Sequence, residues 1–378
     1  MDYPRVPRPE DLEFPTRTVR EGGVDLYVPD VEVRLGPGTR TSLPFYNPAM
    51  AVARDVSVLL AHALLPRGGR VLDGLAATGA LGLRVAAERD PGVYVHLVDK
   101  NPRAVALCEM NVERNGLQNA DVQLTDLNVH LAVGDYALLE LDPFGSPVPF
   151  LDAALLGART GAAMGVTATD TAVLCGTKPE AAARRYLARV RHTDAYAEIG
   201  VRVLLGYIAR TAGKFDRAIS PILAFAAEHF VKVYVRVAEG AGRADAALSR
   251  LGWVRYDPAT GAHTASGDAG TDGIGPLWLG PLMDAEVLSK LHPGSTTGFA
   301  AARLLERIRD EVDLSPFYAE NNAMARRAGV DPPGLEAILE ALRETGHRAT
   351  RTHFRENAFK TDAPWEAVRE AYRAQGIR

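Results

Sequence analysis

From Arg70 onward, short apolar runs alternate with amphipathic stretches, a rhythm that confines the chain to a largely parallel β-sheet wrapped by helices. The runs at 71–75, 93–98, 122–125, 137–141, 162–167 and 231–237 predict strands, and the stretches at 79–88, 102–115, 127–132, 149–158 and 193–212 predict helices. A further helix is expected over 221–229. Upstream, Asn47-Pro48 supplies a cap and a first-turn proline for a helix running to Leu65. Residues 1–44, rich in Pro, Gly and charge, read as an N-terminal arm with small strands such as 31–35. Near residue 240 the composition shifts. The glycine-rich stretch 261–275 reads as an exposed loop of a second unit, with helices at 300–310 and 335–344. A length of 378 residues suits this division into an α/β unit over 1–240 and a smaller α+β unit over 241–378.

In an open parallel sheet, ligands sit beyond the carboxyl ends of the strands, so the loops after the first strands carry the argument. The first, Val71-Leu-Asp-Gly-Leu-Ala-Ala-Thr-Gly79, departs from GxGxxG, and Ala80-Leu81 stand where a P-loop needs Lys and Ser/Thr. A nicotinamide dinucleotide and a nucleoside triphosphate are both disfavoured. What remains is an acid, Asp73, followed by a small-residue turn closed by Thr78 and Gly79, which suits a cofactor bearing an amino-acid end. Asp99, ending the second strand, stands where an acid takes ribose hydroxyls. After the third strand, Asp126-Leu127 offers a carboxylate for an adenine amino group and an apolar neighbour for its face. Each acid alone also reads as a helix cap or turn residue, and Asp73 as a brace for its loop. Three after successive strands read together as a pocket for S-adenosyl-L-methionine in a Rossmann-like class I methyltransferase sheet.

The fourth strand runs into Asp142-Pro143-Phe144-Gly145. Methylating an exocyclic amine requires its lone pair to be freed from ring conjugation and aimed at the methyl donor. The Asp142 carboxylate and a carbonyl of the Pro143 turn are candidate acceptors for one NH₂, with Phe144 stacked on the ring and Gly145 allowing a sharp exit. This resembles the Asp-Pro-Pro-Tyr loop of amino-methyltransferases, although the same residues also make an ordinary turn. Phe45 is read either as the second half of an aromatic sandwich on a flipped base or as a hydrophobic staple on the helix behind it. Arg54, on that helix, is read either as a partner for the methionyl carboxylate or as a structural arginine.

A net charge of −4 gives no global signature of nucleic-acid binding, so RNA contacts must be local. Residues 184–217 carry a local excess of five positive charges, read as a phosphate-binding face or a solvated helical surface. The stretch Arg348-Ala-Thr-Arg-Thr-His-Phe354 interleaves basic, hydroxyl and aromatic groups, the mixture that RNA contacts use, and puts Arg351 and His353 forward as substrate-binding residues. Two cysteines, Cys108 and Cys175, suit a reducing compartment and imply no structural metal. The first residues lack the apolar core of a signal peptide, and no run is long enough to span a membrane, so a cytoplasmic protein with no membrane partner is expected. A monomer is the expected state.

Over nearly its whole length the chain resembles the tRNA (guanine(26)-N2)-dimethyltransferases in their archaeal form. The resemblance rests on Phe45-Tyr-Asn-Pro48 with Arg54-Asp55, Val71-Leu-Asp73 with Ala77-Thr-Gly79, Leu141-Asp-Pro-Phe-Gly-Ser-Pro147, Gly165-Val-Thr-Ala-Thr-Asp170, Leu174-Cys-Gly-Thr-Lys-Pro179, Gly275-Pro-Leu-Trp-Leu-Gly-Pro281 and Thr350-Arg-Thr-His-Phe354. It implies two successive methyl transfers from S-adenosyl-L-methionine to N2 of the guanine between the D and anticodon stems of tRNA. It also implies Arg54, Asp99, Asp126 and the Leu127 backbone on the cofactor, Asp142 on the amine, and Phe45 with Phe144 around the base. Leu81 stands where the resemblance expects an arginine, and 256–275 lacks the paired cysteines that hold zinc in some relatives, so no metal is expected there. The competing readings are an amino-methyltransferase acting on another nucleic acid, rRNA guanine N2 or adenine N6, and a non-catalytic RNA-binding protein on the same scaffold.

Overall fold

The computed structural model describes residues 8–31, 43–65, 69–89, 92–132, 134–227 and 229–375. Its centre is a seven-stranded sheet. In chain order the strands are β1 (Arg70–Gly74), β2 (Tyr94–Asp99), β3 (Ala120–Leu124), β4 (Leu138–Leu141), β5 (Ala163–Ala168), β6 (Arg217–Ala227) and β7 (Phe230–Glu239). They lie side by side as β3-β2-β1-β4-β5-β7-β6, the first five parallel and β7 antiparallel to both of its neighbours, β5 and β6. Six of these strands match the apolar runs. β6 does not: the expected helix over 221–229 is part of an eleven-residue strand. Its apolar run, Ile222 to Phe225, is buried throughout and so shows no alternation, which makes strand and helix indistinguishable by period. Pro221, read as a helix start, sits instead on the sheet edge where the register with β7 slips between Pro221 and Leu223, a place where a strand tolerates proline.

The chain leaves β1 towards β2 and β3, then returns on the other side of β1 to form β4. That reversal is a topological switch point, and the crevice it opens lies at the carboxyl ends of β1 and β4. Gly74 is paired with Leu141 in register, so the loops that follow, 75–79 and 142–147, emerge as neighbours.

The helices around the sheet fall close to the expected stretches. After a short 3₁₀ turn at Pro48–Met50, whose Ala49 N–H is capped by the Asn47 side chain at 3.0 Å, α1 spans Ala51–Leu64. Next come α2 (Ala80–Glu88), α3 (Pro102–Arg114), α4 (Leu127–Leu131), α5 (Val148–Gly157) and α6 (Tyr196–Gly213). Asn101 and Asp126 cap α3 and α4. In the N-terminal arm, a hairpin of Thr16–Glu21 and Val24–Pro29 docks on α3, where Asn111 and Asn115 accept from the N–H groups of Tyr27 and Asp25 at 2.7 and 2.9 Å. Most of the small strand expected over 31–35 lies outside the described residues.

Beyond β7, a three-stranded sheet of Leu251–Tyr256, His263–Ser266 and Ile274–Trp278 packs on α6, so the stretch 261–275 is partly strand and not only loop. Leu277, Trp278 and Leu282 share one apolar cluster with β4, β5 and α6, while Leu304, Leu305 and Ile308 of the helix Phe299–Glu311 share another with α1. A separate cluster forms only towards the end of the chain, around Met324, Ile338, Leu339, Phe359 and Tyr372. A charged pin joins this last part to α6. Glu198, fully buried, accepts from Arg202 at 2.7 and 3.0 Å and meets the Lys360 ammonium at 3.2 Å. Burial works against the Glu198 charge, yet these cations pull its pKa down to about 2. Among the described residues, no helix is long and apolar enough to cross a membrane.

Candidate active site

The β1 loop is built under backbone constraint. Leu75 and Ala77 both adopt positive φ, 69° and 52°, a conformation that non-glycine residues rarely hold without support. Support comes from β2: the Leu75 and Ala76 N–H groups donate to the Val98 carbonyl, and that of Ala77 to Asp99 Oδ2 at 3.0 Å. Gly79, at φ 75°, starts α2, and a Cβ there would collide with Leu83 and Leu97. Its role is the turn itself, and Thr78 beside it lines the cleft.

This loop, the loop after β4 and residues 43–47 enclose a cleft of about 610 Å³. Asp73, Asp99 and Asp126, from the ends of three adjacent strands, all open onto it. Asp73 is buried and accepts the Gly82 N–H at 2.8 Å; burial, reinforced by the nearby Glu140 and Asp142 charges, pushes its pKa up to about 7. Asp99 also accepts the Asn101 N–H at 2.8 Å, and Asp126 caps α4 through the Asn128 N–H at 2.9 Å. The brace-and-cap roles weighed from sequence are therefore real, and each coexists with a place on the cleft wall. Leu127 differs. Its side chain is buried under Gly74 and away from the cleft, leaving only its backbone as a candidate contact.

Across the cleft stand Asp142, Pro143 and Phe144. Among the described residues no hydrogen bond or ion pair engages the Asp142 carboxylate. Gly145 turns the loop at φ 80°, and its backbone clasps Thr169 twice, N–H to Oγ1 at 2.7 Å and carbonyl to N–H at 2.9 Å. Phe144, 43% exposed, meets Phe45 edge to face with centroids 4.8 Å apart. The two rings expected to flank a base are thus together at the cleft mouth, in contact with each other. Arg54 also reaches the cleft wall, but its guanidinium is gripped by Glu21 through two bonds of 2.6 Å. Burial disfavours the charge on Arg54, and the Glu21 carboxylate more than restores it.

The C-terminal candidates do not join this site. His353 is buried against Glu311 and cannot reach an RNA strand, Thr352 is fully buried, and Phe354 stacks on Tyr318 at 5.5 Å. Arg351 lies at the surface, paired with Glu336 at 2.6 Å. The stretch 348–354 packs instead against the helix Phe299–Glu311 and Tyr318, because the groups that suit RNA contacts also suit a buried polar joint.

The family model for N2,N2-dimethylguanosine tRNA methyltransferase matches residues 22–373. The chain is 37% identical over 375 residues to the tRNA (guanine(26)-N(2))-dimethyltransferase of Methanosphaerula palustris, covering 94% of this chain and 99% of that protein. It is equally 37% identical over 377 residues to the one of Pyrococcus horikoshii, covering 93% and 97%. The solved structure of Trm1 from Pyrococcus horikoshii with S-adenosyl-L-methionine matches with a TM-score of 0.83 at 35% identity, over 94% of this chain and 99% of that one. The chain belongs to the N2,N2-dimethylguanosine tRNA methyltransferase family.

In this family member, Leu81, standing where an arginine was expected, lines the cleft as a buried apolar residue, and the cations that line the same cleft are Arg54 of α1 and Lys100. Three features escaped sequence reading. Glu21, from the N-terminal hairpin, holds Arg54 and Arg84 at once, and Arg84 also binds Asp55 at 2.7 Å. Behind the Asp142 strand, buried Lys232 donates to Glu140 at 2.7 Å and Thr167 at 3.0 Å. Tyr186 donates to Asp170 at 2.7 Å and meets Ser146 at 2.9 Å, bracing the exit of the catalytic loop. These pairs join separate segments of the chain; the family resemblance singled out Arg54-Asp55, Ser146 and the Gly165–Asp170 segment, but nothing pointed to Glu21, Arg84, Glu140, Tyr186 or Lys232.

Proposed function

We propose that this protein methylates the exocyclic N2 of guanine 26 in tRNA in two successive transfers, giving N2,N2-dimethylguanosine. The observation that carries this reading is that Asp142, which no hydrogen bond engages among the described residues, and two aromatic rings share one cleft with carboxylates from three adjacent strand ends. The methyl donor of the family is S-adenosyl-L-methionine, and it supplies an electrophilic methyl group on a sulfonium. The donor set fits it: a carboxylate, Asp73, for an ammonium, Asp99 for ribose hydroxyls, and Asp126 for an adenine amino group. Asp142 and a Pro143-turn carbonyl accept from the guanine amine and hold its lone pair out of the ring plane, while Phe144 and Phe45 stack on the base. After the first transfer, the secondary amine rotates and offers its remaining N–H to the same acceptors. Residues 241–378 then serve to hold the tRNA.

Mass analysis of tRNA transcript fragments after incubation with labelled donor tests the reading. Dimethylguanosine at position 26, with monomethylguanosine as an intermediate, is expected; N6-methyladenosine or an unmodified transcript overturns it.

Two predictions attach to the cofactor wall. Asp99→Ala weakens donor binding by about 1.5–3 kcal/mol, the worth of a hydrogen bond to a charged group, and calorimetry showing unaltered affinity would remove Asp99 from the ribose. Asp73 gives a pH signature. Its folded pKa of about 7 exceeds the ordinary 3.8, so its contribution to stability is fully present below that value and is lost as pH rises towards about 7. Without donor, Asp73→Asn gains melting temperature relative to wild type across that window, and it binds donor more weakly; a pH-independent difference in melting temperature counts against the assignment.

A further inference from the structure

A path of contacts leads from the loop 142–147, partly through buried groups, to the C-terminal part of the chain. Gly145 is clasped by Thr169, and the next residue, Asp170, binds Tyr186 and, at 3.1 Å, the exposed Arg185. Asp170 opens the short helix Thr171–Leu174, and the Cys175 carbonyl that follows meets the His192 ring at 3.3 Å. His192 is exposed and stacks on Tyr196 with centroids 4.6 Å apart and planes 22° from parallel. Arg355, from the C-terminal part, donates to the Tyr196 hydroxyl at 2.8 Å and lies 5.4 Å from its ring. Lys178, Glu180 and Arg184 are also exposed in the segment before Arg185, and the exposed Glu356 follows Arg355.

We propose that Arg185, His192, Tyr196 and Arg355 form a docking ledge for the RNA strand that leads to the target base. The inference rests on the tRNA reading above. Arg185 and Arg355 supply guanidinium groups for phosphates, and the His192–Tyr196 stack gives an unstacked base a π-surface at the surface of the protein. An RNA strand fits this pattern better than an acidic peptide does, because a peptide would leave the stacked rings without a complementary plane. The ledge is also mechanically continuous with the reaction centre, since the carboxylate that holds Arg185 also holds the tyrosine braced on Ser146. His192, Tyr196 and Arg355 act away from the reacting atoms, so they are positioning residues.

The test is tRNA affinity over a salt series for the full-length protein carrying His192→Ala, Arg355→Ala or both. His192→Ala should weaken tRNA binding about 5- to 150-fold, as expected for loss of one stacked base. Arg355→Ala should lower the slope of log affinity against log salt by about 1. Donor affinity and turnover at saturating tRNA should remain at wild-type values, so KM for tRNA moves and kcat does not. Wild-type affinity and slope in the double variant would overturn the ledge. Photocrosslinking wild-type protein to tRNA covers the case of a variant that fails to fold: peptides from 175–196 and 352–358 are expected, and crosslinks confined elsewhere overturn the proposal and leave the patch to a protein partner. If wild-type protein methylates tRNA but the variants bind it unchanged, only the ledge fails; if wild-type protein leaves tRNA unmodified, the function reading fails first.

Discussion

Asp142→Ala should cut kcat for tRNA methylation by about 10²–10⁴-fold while leaving the affinities for tRNA and S-adenosyl-L-methionine near wild type. The magnitude follows from where the carboxylate stands. It ends β4 at the switch point, no described side chain or backbone N–H engages it, and Phe144 beside it guards the mouth of the cleft. An acid that no described hydrogen-bond donor engages keeps its acceptor sites for a substrate amine, and its loss falls on the transition state more than on binding. A second reading comes from its neighbour. The Asp142 charge helps to hold the Asp73 pKa up, so the variant should let Asp73 titrate lower, which carboxylate-resolved NMR of the donor-free protein would detect. Wild-type turnover in Asp142→Ala removes the residue from the mechanism, whatever happens at Asp73.

Glu198→Gln should destabilise the folded protein by about 3–5 kcal/mol, because it strands two buried cations. Arg202 keeps its bonds to the Trp278 and Gly280 carbonyls, both 3.0 Å, but Lys360, buried in the C-terminal part, loses its counter-charge. The same group sets an acid limit. A folded pKa of about 2 against an ordinary 4.5 means that the contribution of Glu198 is present above about 4.5 and is lost as pH falls towards about 2. Denaturant titrations at neutral pH and across that acid window check both statements. A variant within about 0.5 kcal/mol of wild type, the range of ordinary surface substitutions, would show that the pin does not hold the two parts together.

The sheet and the cleft acids were legible because their signals are local. A strand buried on both faces is a run of apolar residues, and an acid after it can be seen in one glance along the chain. β6 broke the first rule, since an unbroken buried run followed a proline that belongs to a sheet edge. Burial broke the reading of His353: its neighbours resemble an RNA-contacting mixture, and only the packing of Phe299–Glu311 against that strand shows where the ring goes. The charge networks were invisible for a different reason. Glu21 with Arg54, Glu140 with Lys232 and Glu198 with Lys360 are separated by 33, 92 and 162 residues, so nothing in a local window links them. Arg54 shows the cost, since its candidate partner in the cofactor competes with a carboxylate supplied by the N-terminal hairpin.

The edge-to-face contact of Phe45 with Phe144 acts as a threshold. A purine entering between them must first separate a pair of rings whose attraction is worth about 0.5–1.5 kcal/mol. A free nucleoside has only its own stacking to set against that separation, whereas a base attached to a folded RNA draws on contacts made many ångströms away. With the base held as proposed, the doorway would favour polymer over monomer before any hydrogen bond to the guanine edge is made.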